Sequence, residues 1–503
     1  GDTGNYSGSY NTSLGAYSMG DNGLADASYN NALGYYALKS LTTGDHNTVL
    51  GNDAGRTGTT FQKNTIIGNY AGYATTSSYN TFVGYNAGSG TTSGEENVYL
   101  GYHAGKANAT TSYNVFIGNG AGEFATGVQK SVFIGRQAAG AAAATGDDNT
   151  IVGYKAGYDL TTGYSNVVMG YATAENITEG HTNTILGMRA GDSVTTGHSN
   201  IAIGAYALDA ATAGAENVAI GTHAGTDYVG GNSTTGAFGV FIGHTAGFQV
   251  TGNGSYKSIT LVGHAAGYSA TGAQMSTGIG ASALYYADGA LNTTAVGRSA
   301  GAYDKGTGSV WVGDSAGYRI SGNYNIAIGY AAMSGASSGT GYGTAASNIA
   351  IGRDSMANIT DGHGNVAIGY AAMYDTTEAE ESVAIGGYAA GDITTGKWNT
   401  AVGYTALRSG TTTNRNTAIG YAAMHKYTET GDGYNVAVGM YAMQQHESGK
   451  SNVAIGYTAL RGATGNDADY NVAMGAQALY SNTSGDNNTG IGRNALFANT
   501  SAN

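Results

Sequence analysis

Hydrophobic and polar positions recur along this chain in one short phrase: a polar residue, three residues ending in an aliphatic one, a glycine, and usually an alanine three places later. The phrase is written 28 times between Gly15 and Gly492, clearly in Asn64-Thr65-Ile66-Ile67-Gly68, Asn200-Ile201-Ala202-Ile203-Gly204 and Asn452-Val453-Ala454-Ile455-Gly456. Of the 27 steps between phrase glycines, 17 are 17 residues long and none is shorter than 16. That spacing is too short for paired helices and suits one coil of a parallel β-solenoid. The longest steps end at Gly243, Gly263 and Gly352, and their added residues, such as Ser334 to Gly341, are small and polar, as surface insertions should be.

Positions are counted here from the phrase glycine. Position −1 is Leu, Ile, Val or Met in all 28 copies, and position +3 is Ala in 25. Both are odd offsets, so an extended strand would place them on one face, aliphatic and then very small, fitting the thin interior of a coil. A larger side chain at Ala332 should overpack that interior, at about 1–3 kcal/mol.

The even offsets carry a second pattern. Position −2 is bulky in 12 copies (Val49, Ile66, Phe82, Tyr99, Phe116, Phe133, Ile151, Val168, Ile185, Phe241, Leu261, Trp311), and in each of them position +4 is Gly or Ala. In the 16 copies with Ser, Ala or Gly at −2, 13 have Leu or Met at +4, and the exceptions are the copies of Ala219, Ala295 and Ala384. Large-for-small exchange at two fixed positions is what packing at constant volume demands, so both side chains should fill one closed space. Both strand faces are then expected to be dry. One would face the coil's own interior and the other a second copy of the chain, with a parallel homotrimer the simplest closure. The alternative is one wide solenoid burying both faces within a single chain.

Position −4, which opens the phrase, is Asn in 21 copies and Ser in four. Turn sequences such as Thr161-Thr162-Gly163 and Thr411-Thr412-Thr413 precede it. Asn supports the tight bend, and stacked at ~4.8 Å per coil its amides can hydrogen-bond in a ladder along the axis. Twenty-eight coils at that rise predict a rod of about 130 Å.

Composition narrows the functions open to such a chain. Across 503 residues no change of composition marks a boundary, so a single continuous solenoid domain over 1–503 is expected. Proline is absent, as suits ladders that need every N–H, and without cysteine there are neither disulfides nor thiolate zinc ligands. A net charge of −13 with only 11% charged residues argues against nucleic acid, and no apolar run approaches a membrane span of about 20 residues. With no initiator Met or signal peptide, Gly1 reads as the start of a processed product or a fragment. The repeat reaches almost to Asn503, so bare end coils are expected to stack head to tail into filaments.

The copies Asn365-Val366-Ala367-Ile368-Gly369 and Ser382-Val383-Ala384-Ile385-Gly386 resemble the head repeats of trimeric autotransporter adhesins. Copies such as Asn399-Thr400-Ala401-Val402-Gly403-Tyr404-Thr405-Ala406-Leu407 and Asn416-Thr417-Ala418-Ile419-Gly420-Tyr421 are similar to repeats of bacteriophage tail-fibre proteins that mature with a cleavable C-terminal chaperone domain. The resemblance covers nearly the whole chain. It implies a left-handed parallel β-roll wound into a trimer, although the period is longer than in adhesin heads and no neck, stalk, anchor barrel or chaperone domain is written in these residues.

Little in the sequence points to catalysis: no nucleophile elbow, P-loop, zinc-protease helix or calcium-binding glycine-aspartate repeat is present. His223, His244 and His264 fall near the glycine of three successive phrases, and Asp147-Asp148 and Asp467-Ala468-Asp469 are acidic turns; all are read as solvated surface with no metal or cofactor. The expected function is non-enzymatic: a structural fibre outside the cell, on a cell surface or a virion, giving reach and stiffness. Receptor or glycan contact is expected at Tyr85, Tyr102, Tyr154, Tyr330, Tyr370, Tyr421 and Tyr457, beside the glycine. The same residues would otherwise form aromatic ladders that stiffen the sheet. The alternative function is an adhesin head or a self-polymerising extracellular filament subunit. Ice binding ranks below these, because it needs a flat Thr array on a strand face and Thr here gathers mostly in turns.

Overall fold

A computed structural model describes residues 8–19, 24–228, 238–250, 258–335, 342–463 and 465–501. The inserted stretches 229–237, 251–257 and 336–341, which include most of the insertion read at Ser334 to Gly341, lie outside the described residues. The chain parts into two compact units, Gly1–Lys257 and Ser258–Asn503. Each is an all-β parallel solenoid, with fourteen phrase strands in the first unit, from Thr12–Leu14 to Gly239–Ile242, and fourteen in the second, from Ile259–Val262 to Thr489–Ile491. No helix occurs among the described residues.

Every phrase strand occupies positions −3 to −1, and three strands are one residue longer. Within each unit successive strands pair in parallel without slippage, as in Thr400 on Thr417, Ala401 on Ala418 and Val402 on Ile419. Like residues therefore stack on like residues, which turns each sequence position into a column. Outside the strands the backbone still pairs from coil to coil. In the Gly204 coil the Tyr206 N–H donates back to Met188 O (3.0 Å) and the Leu208 N–H donates forward to Ala224 O (2.9 Å). A chain of short strands is thus laddered around most of its turn, which is where the absent prolines would have broken it.

The invariant glycine has two causes. Its φ is +133° at Gly204 and close to that in the other copies, a region in which only glycine is comfortable. A Cβ at Gly204 would also sit 2.6 Å from the carbonyl carbon of Gly221 in the next coil. Past the glycine the chain does not continue as a strand: Tyr206 and Leu208, at +2 and +4, have φ of 57° and 54°.

That break corrects one expectation. Parity was expected to put −1 and +3 on the same inner face, but alternation holds only along extended backbone, and the glycine ends it. Position +3 is inside, with Ala37, Ala332 and Ala406 fully buried. Position −1 points outward: Ile220, Ile328 and Ile455 are 37%, 40% and 38% exposed. The closed space shared by −2 and +4 is the coil's own interior.

The compensating pairs meet there as expected. A Cβ on Gly88 would touch the Phe82 ring at 2.9 Å, and Ala418 and Met424 are both fully buried. Phe82, Tyr99, Phe116 and Phe133 stack in one buried column with centroids 4.6–5.0 Å apart. Two of the exceptional coils are filled from the next one. The Phe241 ring comes to 2.8 Å of where a Gly225 Cβ would be, beside Ala219, and Trp311 does the same for Gly301 beside Ala295, at 2.5 Å. Volume is conserved across neighbouring coils as well as within them.

The Asn ladder runs beside this core. In a typical step the Asn183 Oδ1 accepts from both the backbone N–H (2.9 Å) and the side-chain amide (3.1 Å) of Asn200, whose amide also donates to Gly214 O (2.8 Å). These side chains are fully buried, so every amide group is satisfied without water. Serine continues the ladder where it replaces Asn, as Ser131 Oγ does for the Asn149 N–H. The turn threonines form a second, outer ladder, with Thr161, Thr178 and Thr195 hydroxyls each donating to the carbonyl of the Thr one coil on.

A further core column stands at position +7. It holds Thr91, Asn108, Leu160, Ile177, Asp304, Tyr427 and His446, among others, all buried. Several of its polar members are paired: Asn108 donates to the Tyr99 hydroxyl (2.9 Å), and Asp304 accepts from the Trp311 indole (2.9 Å), from Thr293 Oγ1 (3.1 Å) and from the Gly306 N–H (2.8 Å).

Candidate functional site

Each unit presents an outward strand face built from two columns. Position −1 is the aliphatic column, and position −3 is Thr, Val or Ile in every copy except that of Asn31, so neither column holds a charge anywhere in the 28 copies. Thr occupies −3 in 12 copies, irregularly mixed with Val, so threonine does reach a strand face but beside bulky aliphatics and without a regular array. Buried strands read as unbroken apolar runs on both faces; these read that way while one face is open.

Beside the aliphatic column lies position +1, which carries all seven tyrosines singled out above. Tyr85, Tyr102, Tyr330, Tyr370, Tyr421 and Tyr457 are exposed and Tyr154 is half-buried. Several spend a ring face on the neighbouring coil: Tyr85 stacks on Tyr102 at 5.4 Å, Tyr154 on Tyr171 at 5.1 Å, and Tyr421 on Tyr404 at 5.6 Å. Tyr330 and Tyr370 hold the Arg353 guanidinium between them, 5.6 and 5.7 Å from their centroids, and Asp354 accepts from its Nε at 3.0 Å. The seven therefore fall into separate short columns spread over both units.

Three of the other candidates make contacts within the coil stack, while His244 and His264 are exposed. The His223 ring stacks on Tyr206 at 5.0 Å. Asp147 and Asp469 accept backbone N–H groups of the preceding coil, from Gln129 (2.8 Å) and Lys450 (2.6 Å). No group of three or more His, Asp or Glu able to hold a metal occurs among the described residues. No helix among them is long and apolar enough to cross a membrane.

No protein-family model matches the chain, and no curated protein matches it.

Two buried or half-buried groups tie stability to pH. His446 is fully buried; its Nε2 lies 3.3 Å from Asn452 Nδ2, and burial holds its pKa down to about 4. An unfolded histidine protonates near 6.5, so this stabilisation is whole above that pH and is lost as pH falls toward 4. Taking the second unit from pH 7 to 4.5 should cost it on the order of 2–3 kcal/mol, read as a lower denaturation midpoint, and His446→Asn should remove most of that dependence. Asp209 in the first unit has the opposite sign: burial, then the Asp192 carboxylate, push it up to about 6. Its stabilisation is present below the ordinary 3.8 and is lost as pH rises through 6.

Proposed function

We propose that this chain is a structural fibre subunit that works outside the cell, on a cell surface or a virion. In this reading it supplies reach and stiffness rather than catalysis. It assembles as a parallel homotrimer whose three outward strand faces meet along a shared axis, leaving the Tyr-bearing position +1 on the rim for receptor or glycan contact.

One observation carries the reading: an aliphatic side chain stands on the open side of the sheet in every copy of the phrase, with no charge beside it on that face. Monomeric proteins seldom keep so long a charge-free apolar strip in water. Six of the fourteen −1 side chains in the first unit and eight in the second are exposed and the others half-buried, which leaves a strip on the order of the ~800 Å² per partner of a standard interface. In-register columns suit a parallel arrangement, because each copy then meets the same residue type at the same height.

Sedimentation equilibrium of the intact chain tests this directly. A mass of three chains is expected, and a folded monomer would contradict it. Ile203→Asp together with Ile220→Asp places charges on the strip while leaving the coil interior untouched, so monomers with an unchanged far-UV spectrum are expected.

A further inference from the structure

In the second unit six tyrosines gather into one platform: Tyr268, Tyr285, Tyr286, Tyr303, Tyr318 and Tyr342. Tyr286, Tyr303 and Tyr342 form a stack with centroids 5.4 and 5.3 Å apart. Tyr285 and Tyr318 meet that stack edge-on, at 4.5 Å from Tyr286 and 5.3 Å from Tyr303, and Tyr268 stacks on Tyr285 at 5.2 Å. Together the rings form a patch with two concavities. One, of about 340 Å³, is lined by Ser269, Thr271, Tyr286, Asp288, Tyr303, Lys305 and Tyr342. The other, of about 180 Å³, lies against Tyr285, Tyr303 and Tyr318, so Tyr303 separates them.

We infer that the larger concavity is a subsite for a neutral hexopyranose unit of a glycan. Tyr286 has Tyr303 on one side, but the same column position one coil earlier is Ser269, which is too small to cover the other side of the ring. That side adjoins the concavity, and an aromatic face left open beside a cleft is a surface on which the C–H face of a sugar ring stacks. The polar groups are arranged for hydroxyls. Asp288 already accepts from Thr271 Oγ1 (2.5 Å) and, being a carboxylate, keeps lone pairs for a ligand's adjacent hydroxyls. Lys305 sits over the Tyr342 ring with Nζ 5.3 Å from the centroid, which holds the ammonium at the rim as a donor. One carboxylate and one ammonium leave the site neutral, which favours an uncharged sugar over an acidic one. The volume falls within the ~300–1,000 Å³ typical of small-molecule sites.

This deepens the glycan-contact part of the proposed function and moves it away from position +1. It does not depend on oligomeric state. Saturation-transfer NMR on the full chain with maltotriose, lactose and mannobiose, and with 3′-sialyllactose as the acidic comparison, tests it. Transfer is expected to at least one neutral probe, exceeding that to the sialylated one. Tyr286→Ala and the isosteric Asp288→Asn should each weaken the bound probe about tenfold, while Tyr164→Ala, at an exposed ring of the first unit that stacks on His181, should leave it unchanged. No transfer to any neutral probe, preference for the acidic one, or binding that survives both substitutions would overturn the assignment. Sedimentation of the same sample reports separately on whether the fibre reading stands.

Discussion

Gly204→Ala is expected to destabilise the first unit by about 3–5 kcal/mol, far more than one methyl group usually costs. The φ of +133° lies where an alanine is strained by about 1–3 kcal/mol. The new Cβ would also stand 2.5 Å from the Gly221 oxygen and 2.6 Å from its carbonyl carbon. That backbone cannot yield cheaply, because the Gly204 N–H is bonded to Leu186 O (2.8 Å) and the Gly221 N–H to Ile203 O (2.8 Å). Relief therefore means opening ladder hydrogen bonds on both sides. Chemical denaturation should show the loss and hydrogen exchange should place it in the adjoining coils, whereas Ala205→Gly one residue away should stay within about 1 kcal/mol. An unchanged midpoint for Gly204→Ala would mean the coils are not stacked so closely.

The second large effect is an exchange. Phe82→Ala alone removes a fully buried ring that stacks on Tyr99 at 5.0 Å and should cost about 3–5 kcal/mol. Gly88→Leu alone forces a side chain into space the Phe82 ring occupies, and overpacking of this kind costs about 1–3 kcal/mol or more. Made together, the two changes recreate the arrangement of the Ala418 and Met424 coil, in which the large residue sits at +4 with φ of 51°. The double variant should recover at least about 2 kcal/mol relative to the sum of the singles, a coupling that only residues sharing one space display. Additive losses would show that the two positions do not fill a common cavity.

How far the sequence leads can be read from these same positions. The strand at −3 to −1, the coil period, the buried Asn ladder and the −2/+4 exchange are all legible, because each repeats with the same chemistry. Which side of the strand faces out is not legible, since parity counting assumes extended backbone and Gly204 turns the chain before Ala207 is reached. Position +7 is hidden for another reason. Its occupants range from Leu160 to Asp304 and His446, so no composition rule marks it, and Asp304 and His446 meet local partners, Trp311 and Asn452. The tyrosines at +1 are visible as outward residues from spacing alone. The platform around Tyr303 is not, because Tyr342 joins it from within the lengthened step between Gly329 and Gly352, although Tyr268, Tyr285 and Tyr303 at 17- and 18-residue intervals hint that rings accumulate there.

The chain's lack of cysteine makes disulfide trapping the most direct check that one phrase winds one turn in parallel register. Tyr404→Cys with Tyr421→Cys joins equivalent positions one turn apart, where the Ala422 N–H already bonds to Tyr404 O at 2.9 Å. Tyr404→Cys with Tyr457→Cys joins positions three turns apart, roughly 14 Å at ~4.8 Å per turn and beyond the ~7 Å a disulfide can span. On mild oxidation the first pair should close within a single chain and the second should not. Equal closure of both pairs, or failure of the first in folded protein, would contradict the account.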